Sequence, residues 1–411
     1  MVTSGVFLRT LTAFAFAKLA AAWLGPVEYA TYGHYYMVAT YLVTASSLGL
    51  GNAFTVYIAR SRSELLASEA QAVTVFGTVT GSVAALGLTV LLFLDPHGIL
   101  LPRIRGWDLT YWCLFCLVTA VGASIQSILL GREQHVKYQL VAGLNPLISC
   151  IVLVAMYLFG RVNPSLAIIA YMIGFLAPIA AFPEYVRKIA GVSWDTLRPL
   201  VQFSRSYLIP SLLIPTVGTV SILSVRHVVS IWVNTYDLGL WQALWRISEG
   251  YMGALISIGS ALFLPRFSQI KTQAEAWKRL SKAAAMLLVI YSPLAFCFVF
   301  IPKLALRLLL SRQFLPLAPL LPVQIVGDVL KILCFLLELF FICMLAPRLA
   351  LLAEVLFSGF FLGLAPLILS HTKGPVGAVW AYSLGYAIVL SILMPVAFRR
   401  IRALPAIGEV P

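Results

Sequence analysis

The stretch 324–341, QIVGDVLKILCFLLELFF, carries Asp328, Lys331 and Glu338 inside a run otherwise apolar enough to cross a bilayer. An ionisable group in hydrocarbon costs several kcal/mol, so such groups turn towards partners or a water-filled cavity. At about 100° per residue, offsets of three and ten place all three on one helical face. That face is expected to look away from lipid. Four more apolar runs hold ionisable residues: Arg9 with Lys18, Arg226, Arg246 with Glu249, and Glu354. The basic set, Arg9, Arg226, Arg246 and Lys331, suits an anionic group such as phosphate, to which Arg offers bidentate donors and Lys a point charge. Lys18 lies close enough to the end of its run to snorkel outwards. The carboxylates Glu249, Asp328, Glu338 and Glu354 are candidates for proton or cation sites, because burial and a basic neighbour push a carboxylate's proton affinity in opposite directions. A second reading stays open: Arg246 with Glu249, and Asp328 with Lys331, are three apart and could simply pair along their helices.

Other chemistry finds no residues to perform it. Cys113 and Cys116 form a CxxC inside an apolar run, with no second pair at zinc-site spacing, and packing as small hydrophobes explains them. The six cysteines are scattered and suggest no disulfide framework. There is no HExxH, glycine-rich phosphate loop or nucleophile elbow. No catalytic residue, metal site or cofactor is therefore expected.

The elements that must position these charges are membrane spans. Of 411 residues, 61% are hydrophobic and 11% charged, and the mean hydropathy is +0.95; apolar runs of about twenty residues recur from end to end. Twelve spans are predicted, at roughly 4–24, 35–59, 71–94, 109–130, 137–160, 164–186, 206–230, 241–264, 283–302, 318–345, 349–370 and 375–398. With both termini cytoplasmic, 17 basic residues fall on the cytoplasmic side, 7 on the other and 5 within spans; the asymmetry sets the orientation. The net charge of +14 thus reads as topology and contact with anionic lipid headgroups, not as nucleic-acid binding. Phe267, Ile270, Ala274 and Trp277, with Lys271, Lys278 and Lys282 on another face, predict an amphipathic helix in the cytoplasmic interface. The longest cytoplasmic linker divides the spans six and six, giving an N-terminal lobe (1–190), a linker (191–205), a C-terminal lobe (206–400) and a tail (401–411). The halves echo each other: a Tyr-rich turn at 25–36 and again at 235–245, and a small residue followed by Arg at Gly131-Arg132 and Ala346-Pro347-Arg348. Six spans per half make the repeat parallel, which favours a two-lobed transporter with a central cavity.

Leu308 to Ser311 with Phe314, then Gln324-Ile325-Val326-Gly327-Asp328-Val329-Leu330-Lys331, and later Ala353-Glu354-Val355 carry a resemblance. So do Leu24-Gly25-Pro26, Gly51-Asn52, Trp241-Gln242 and Leu264-Pro265. In these motifs the chain resembles the oligosaccharide-lipid flippases of the polysaccharide transport family, within the multidrug/oligosaccharidyl-lipid/polysaccharide exporter superfamily. The likeness is strongest from 226 to 400 and points to the branch that carries enterobacterial common antigen and O-antigen units. It implies an all-α polytopic protein, twelve helices in two six-helix lobes around a V-shaped cavity, that opens alternately to either side of a bacterial inner membrane. The implied substrate is undecaprenyl diphosphate bearing a short oligosaccharide, moved from the cytoplasmic to the periplasmic leaflet. The polymerase and chain-length regulator of the same glycan pathway are the implied partners. Asp328, Lys331 and Glu354 fall on the family pattern; Val56, where a compared member has Lys, and Glu338, where it has a non-acidic residue nearby, depart from it. On this reading Arg226, Arg246 and Lys331 attract the diphosphate, Tyr251, Trp241 and Trp245 offer faces to sugars, and Asp328 or Glu338 couples to ion movement. Two other functions are weighed. A multidrug/cation antiporter would favour an acid-dominated cavity, whereas basic residues lead acidic ones here. A membrane-embedded glycan polymerase or ligase would carry a large periplasmic loop, and no loop assigned to that side is long.

Overall fold

A computed structural model describes residues 2–60, 66–94, 107–160, 162–187, 192–267, 269–344 and 346–405. Arg62, Arg103, Arg105, Arg161, Lys188 and the tail segment 406–411 lie outside the described residues. What is described is helical, with no strand among the described residues. Nine helices among the described residues are long and apolar enough to cross a membrane. By contact the chain divides into two compact units: Met1–Leu24 with Thr31–Val220, and Gly25–Ala30 with Ser221–Pro411.

The N-terminal unit holds parts of α1 (Val2–Ala45) and α9 (Trp194–Trp232), and all of α2 (Gly51–Arg60), α3 (Leu66–Leu94), α4 (Trp107–Gly131), α5 (His135–Phe159), α6 (Pro164–Gly174), α7 (Ala177–Ala181) and α8 (Glu184–Arg187). Helix α1 is interrupted where the first span is expected to end. Gly25 takes φ 67° and ψ 173°, a backbone state open to glycine, and Pro26 follows. The second span, expected to be continuous over 35–59, is broken instead: residues 46–50 form a turn between α1 and α2, with Leu48 at φ 51°. Residues 194–205, placed in a linker by the sequence, are helical and open α9. Within the unit α4 packs on α2, α3 and α5. Its hydroxyls are satisfied locally: Thr119 bonds Ser46 at 2.8 Å and the carbonyls of Phe115 and Cys116, as hydrocarbon demands. All six cysteines of the chain are free. An apolar crevice of about 250 Å³ lies beside Tyr111, Leu114, Phe115, Ile169, Met172 and Leu176 of this unit.

The C-terminal unit contains α10 (Thr235–Phe267), α11 (Gln273–Phe300), α12 (Pro302–Leu309), a 3-10 segment (Arg312–Leu320), α13 (Leu321–Cys343), α14 (Pro347–Leu369) and α15 (Val376–Arg402). Helix α13 is its hub and packs on α10, α11, α14 and α15. The expected interfacial amphipathic helix does not exist as a separate element. Phe267 closes α10, Ile270 lies in the turn, and Thr272 caps α11 by accepting from Glu275 N–H, so Trp277 stands on the first turns of a 28-residue helix. Thr at the N-cap stops the chain from entering the helix earlier.

Candidate functional site

The charged face of α13 begins at a glycine. A Cβ on Gly327 would stand 2.6 Å from Tyr382 Cε1 and 2.7 Å from Ser383 Oγ, so only glycine lets α15 approach α13 here. The closeness brings the Tyr382 hydroxyl to Asp328, where it donates to Oδ1 at 2.8 Å. Ser248 Oγ of α10 donates to the same oxygen at 2.7 Å, and Gln324 Nε2, one turn back on α13, at 3.1 Å. On Oδ2, Tyr251 of α10 donates a short bond and Tyr291 of α11 donates at 3.4 Å. Asp328 is fully buried. Five neutral donors from four helices thus converge on a group with about four lone-pair sites. Its acceptor capacity is used up, and an arriving cation must displace a donor. Each such bond to a charged acceptor contributes about 1.5–3 kcal/mol, set against the several kcal/mol of desolvation that a buried ion costs.

Two consequences bear on the sequence reading. Asp328 does not line a cavity; it is the centre of the C-terminal unit's core. It also makes no ion pair with Lys331, since every hydrogen-bond partner it has among the described residues is a hydroxyl or an amide.

One to three turns further along α13 the arrangement changes. Lys331 is half-buried, with its ammonium 5.9 Å from the centroid of the Tyr386 ring. It lies within electrostatic range of Asp328, Glu338 and Glu354, and the two glutamates are in range of each other. Lys331, Glu338 and Glu354 are all half-buried, and none makes a hydrogen bond or an ion pair within 4 Å among the described residues. The Tyr386 ring also stacks on Phe357, with centroids 3.9 Å apart. Here the charges retain capacity for a ligand.

The remaining expected residues are spread. Arg246 and Glu249 are half-buried on α10, on either side of Ser248. Arg226 lies in the part of α9 that belongs to the C-terminal unit; its Nη2 donates to the Ala30 carbonyl at 3.1 Å, while Nε is buried with no hydrogen-bond partner among the described residues. Arg9 is half-buried in the N-terminal unit. The rings assigned to sugars are buried: Trp241 and Trp245 are 2% and 5% exposed, and Trp245 stacks on Phe361. Tyr251 is spent on Asp328. These three pack the core and present no free face.

Ser248, Tyr291, Gln324, Tyr382 and Tyr386 were not anticipated. Gln324 had a signal in its spacing, since i to i+4 side chains meet on a helix. Tyr291 and Tyr382 had none, because they reach Asp328 from helices distant in sequence, and Tyr386 comes beside Lys331 in the same way.

Residues 1–271 match the family described as polysaccharide biosynthesis protein. The chain is 24% identical over 394 residues to the lipid III flippase of Escherichia coli (strain K12), spanning 91% of each, and the same holds for the lipid III flippase of Shigella flexneri. Among solved structures, a multidrug resistance MATE family transporter of the MOP superfamily, in its inward-facing conformation, matches with a TM-score of 0.74 at 16% identity, over 96% of this chain and 95% of that one. The lipid II flippase MurJ, inward closed, matches with a TM-score of 0.71 at 16% identity, over 97% and 89%. At such identities the structures show a shared fold, that of multi-pass membrane transporters. With two-thirds of its length matched by the family, this chain belongs to the polysaccharide biosynthesis proteins.

Proposed function

We propose that the chain is a flippase that carries a polyprenyl-diphosphate-linked oligosaccharide from one leaflet of the bacterial inner membrane to the other. The observation that carries the reading is the match to lipid III flippases over 91% of both chains. The substrate class follows from the same likeness: undecaprenyl diphosphate with an oligosaccharide unit of the enterobacterial common antigen or O-antigen kind. A diphosphate must shed water to cross, and fixed cations replace the lost hydration. Lys331 is the first candidate for that role, because its ammonium has no ion pair of its own among the described residues. Arg226, with its unsatisfied Nε, is the second, and Arg246 and Arg9 complete the set.

Ion coupling falls on Glu338 and Glu354 in this proposal. They keep open acceptor positions beside Lys331, whereas Asp328 has none, and Glu249 stands on the adjoining α10. A strain deleted for the protein tests the proposal: lipid-linked units should accumulate on the cytoplasmic leaflet and disappear from it on complementation. Accumulation of unpolymerised units outside would instead make the chain a polymerase. Normal glycan assembly with heightened sensitivity to cationic drugs would make it an antiporter.

A further inference from the structure

Where α10 ends, α11 begins and α15 ends, the C-terminal unit gathers one sign of charge. Lys271 lies in the turn before α11, Lys278 and Lys282 on its first turns, and Arg399, Arg400 and Arg402 in the last turn of α15. All six are exposed, and none of their side chains makes an ion pair or hydrogen bond among the described residues. Glu275, the acid among them, is already taken: it pairs with Arg279 at 2.8 Å and accepts Lys271 N–H at 3.1 Å, and Arg279 also donates to the Arg266 carbonyl.

The two helix ends are fastened to each other. Gln273 Nε2 donates to the carbonyls of Arg402 at 3.1 Å and Leu404 at 2.9 Å, and its backbone N–H donates to Pro405 at 3.2 Å. Of the last-turn carbonyls of α15, that of Arg402 is thereby taken by Gln273, and those of Arg399 and Ile401 accept from the Ala403 and Leu404 N–H groups, which weakens the negative end of the helix beside the basic side chains. Across the same junction Trp277 meets Phe398, with ring centroids 5.5 Å apart, and the Arg402 guanidinium sits 4.2 Å over the Phe398 ring. Both rings are more than a third exposed. A guanidinium held over an aromatic face keeps its N–H fork free for a bidentate oxyanion. Trp at this position, with lysines beside it, matches a group that is apolar below and anionic above, at the level of lipid headgroups.

We propose that this end of the C-terminal unit is a docking site for an anionic phospholipid, with Arg402 on its Phe398 platform, Lys278 and Lys282 as the phosphate ligands and Trp277 against the glycerol and first methylenes. Juxtamembrane basic residues each strengthen attraction to an anionic surface by about five-fold. Removing three should abolish a preference of one to two orders of magnitude.

The test uses the full-length protein in bilayers containing spin-labelled phosphatidylglycerol or phosphatidylcholine, and reads the protein-bound fraction of each. The native chain should favour phosphatidylglycerol, with the preference shrinking in high salt. Lys278→Gln/Lys282→Gln/Arg402→Gln should bring the ratio close to one with an unchanged melting midpoint. Lys303→Gln/Arg307→Gln, on α12 at the far end of α11, should leave it alone. Arg402→Lys should recover charge attraction but not the full preference. An unchanged ratio in the triple variant, or an equal loss in the α12 variant, would overturn the assignment. Competition by millimolar inorganic phosphate would also overturn it, by making the ligand a soluble anion.

Discussion

Changing Tyr382 to Phe removes one hydroxyl from the ring of donors around Asp328 and leaves the packing of α13 on α15 intact. The deleted bond is 2.8 Å long and goes to a buried carboxylate, the kind that contributes about 1.5–3 kcal/mol. The remaining donors draw closer and recover part, so a loss of about 2 kcal/mol is expected. Tyr291→Phe deletes a 3.4 Å bond from a carboxylate with more donors than its roughly four lone-pair sites. Its loss should stay below about 0.5 kcal/mol. For a unit of about 200 residues, roughly 1 kcal/mol moves the melting midpoint by 2–4 °C. Tyr382→Phe should therefore lower it by about 4–8 °C and Tyr291→Phe by no more than about 2 °C. The assay is thermal unfolding of the purified full chain in detergent, with each change repeated in an Asp328→Asn background. With the carboxylate gone the Tyr382 effect should fall by at least half, since residues in one network do not act additively. Equal losses at the two tyrosines would refute the reasoning. So would a Tyr382→Phe loss that persists in full when it is combined with Asp328→Asn.

Three further outcomes are expected. Gly327→Ala gains about 1 kcal/mol of helix propensity but drives a Cβ to 2.6 Å from Tyr382, and overpacking of this kind costs about 1–3 kcal/mol; a lower melting midpoint is expected, and an unchanged or higher one would contradict the close approach of α13 and α15. Lys331→Ala or Lys331→Gln should abolish periplasmic glycan assembly while the protein still reaches the membrane, and normal assembly would remove Lys331 from the diphosphate site. Glu338→Gln should uncouple transport in proteoliposomes from an imposed ion gradient while leaving the melting midpoint within about 2 °C, because Glu338 makes no hydrogen bond among the described residues and substitutions that break no such partner cost little; wild-type response to the gradient would end its role in coupling.

The helices were legible because runs of apolar residues are long, and Gly25-Pro26 marked a break that the backbone confirms with a positive φ. The turn at 46–50 was less legible. Its residues, Ser46-Ser47-Leu48-Gly49-Leu50, do carry a turn signal in two serines and a glycine, but small residues are also common within spans, so the apolar run reads as continuous; the break shows in the left-handed backbone at Leu48 and Gly49. Asp328, Lys331 and Glu338 stood out as charges in hydrocarbon. Their partners did not, since a Tyr in an apolar helix reads equally as an interfacial anchor or as core, and the three that reach Asp328 lie 77, 37 and 54 residues away. Only packing against the hub helix selects them from the 17 tyrosines of the chain.

Periodicity leaves open what covers the charged face. Helical spacing states which residues share a face, but not which neighbour covers that face at each height. Asp328 and Glu338 share a face yet are about 15 Å apart along the axis, ample distance for different helices to cover them. At the Asp328 level α10, α11 and α15 bring hydroxyls, and Gly327 lets the last of these approach. At the Glu338 level the charged neighbours are Glu354 of α14 and Lys331, with no donor among the described residues that satisfies either carboxylate. One face therefore holds a saturated carboxyl group that ties four helices together and an unsaturated group that can still accept a ligand. The proposed flippase function would use both: a core that survives repeated conformational change, and charges whose partners change with the substrate. The Gly-Asp-Val-Leu-Lys motif sits at the junction, with its Gly and Asp in the packed core and its Lys at the start of the stretch whose charges have no hydrogen-bond partner among the described residues.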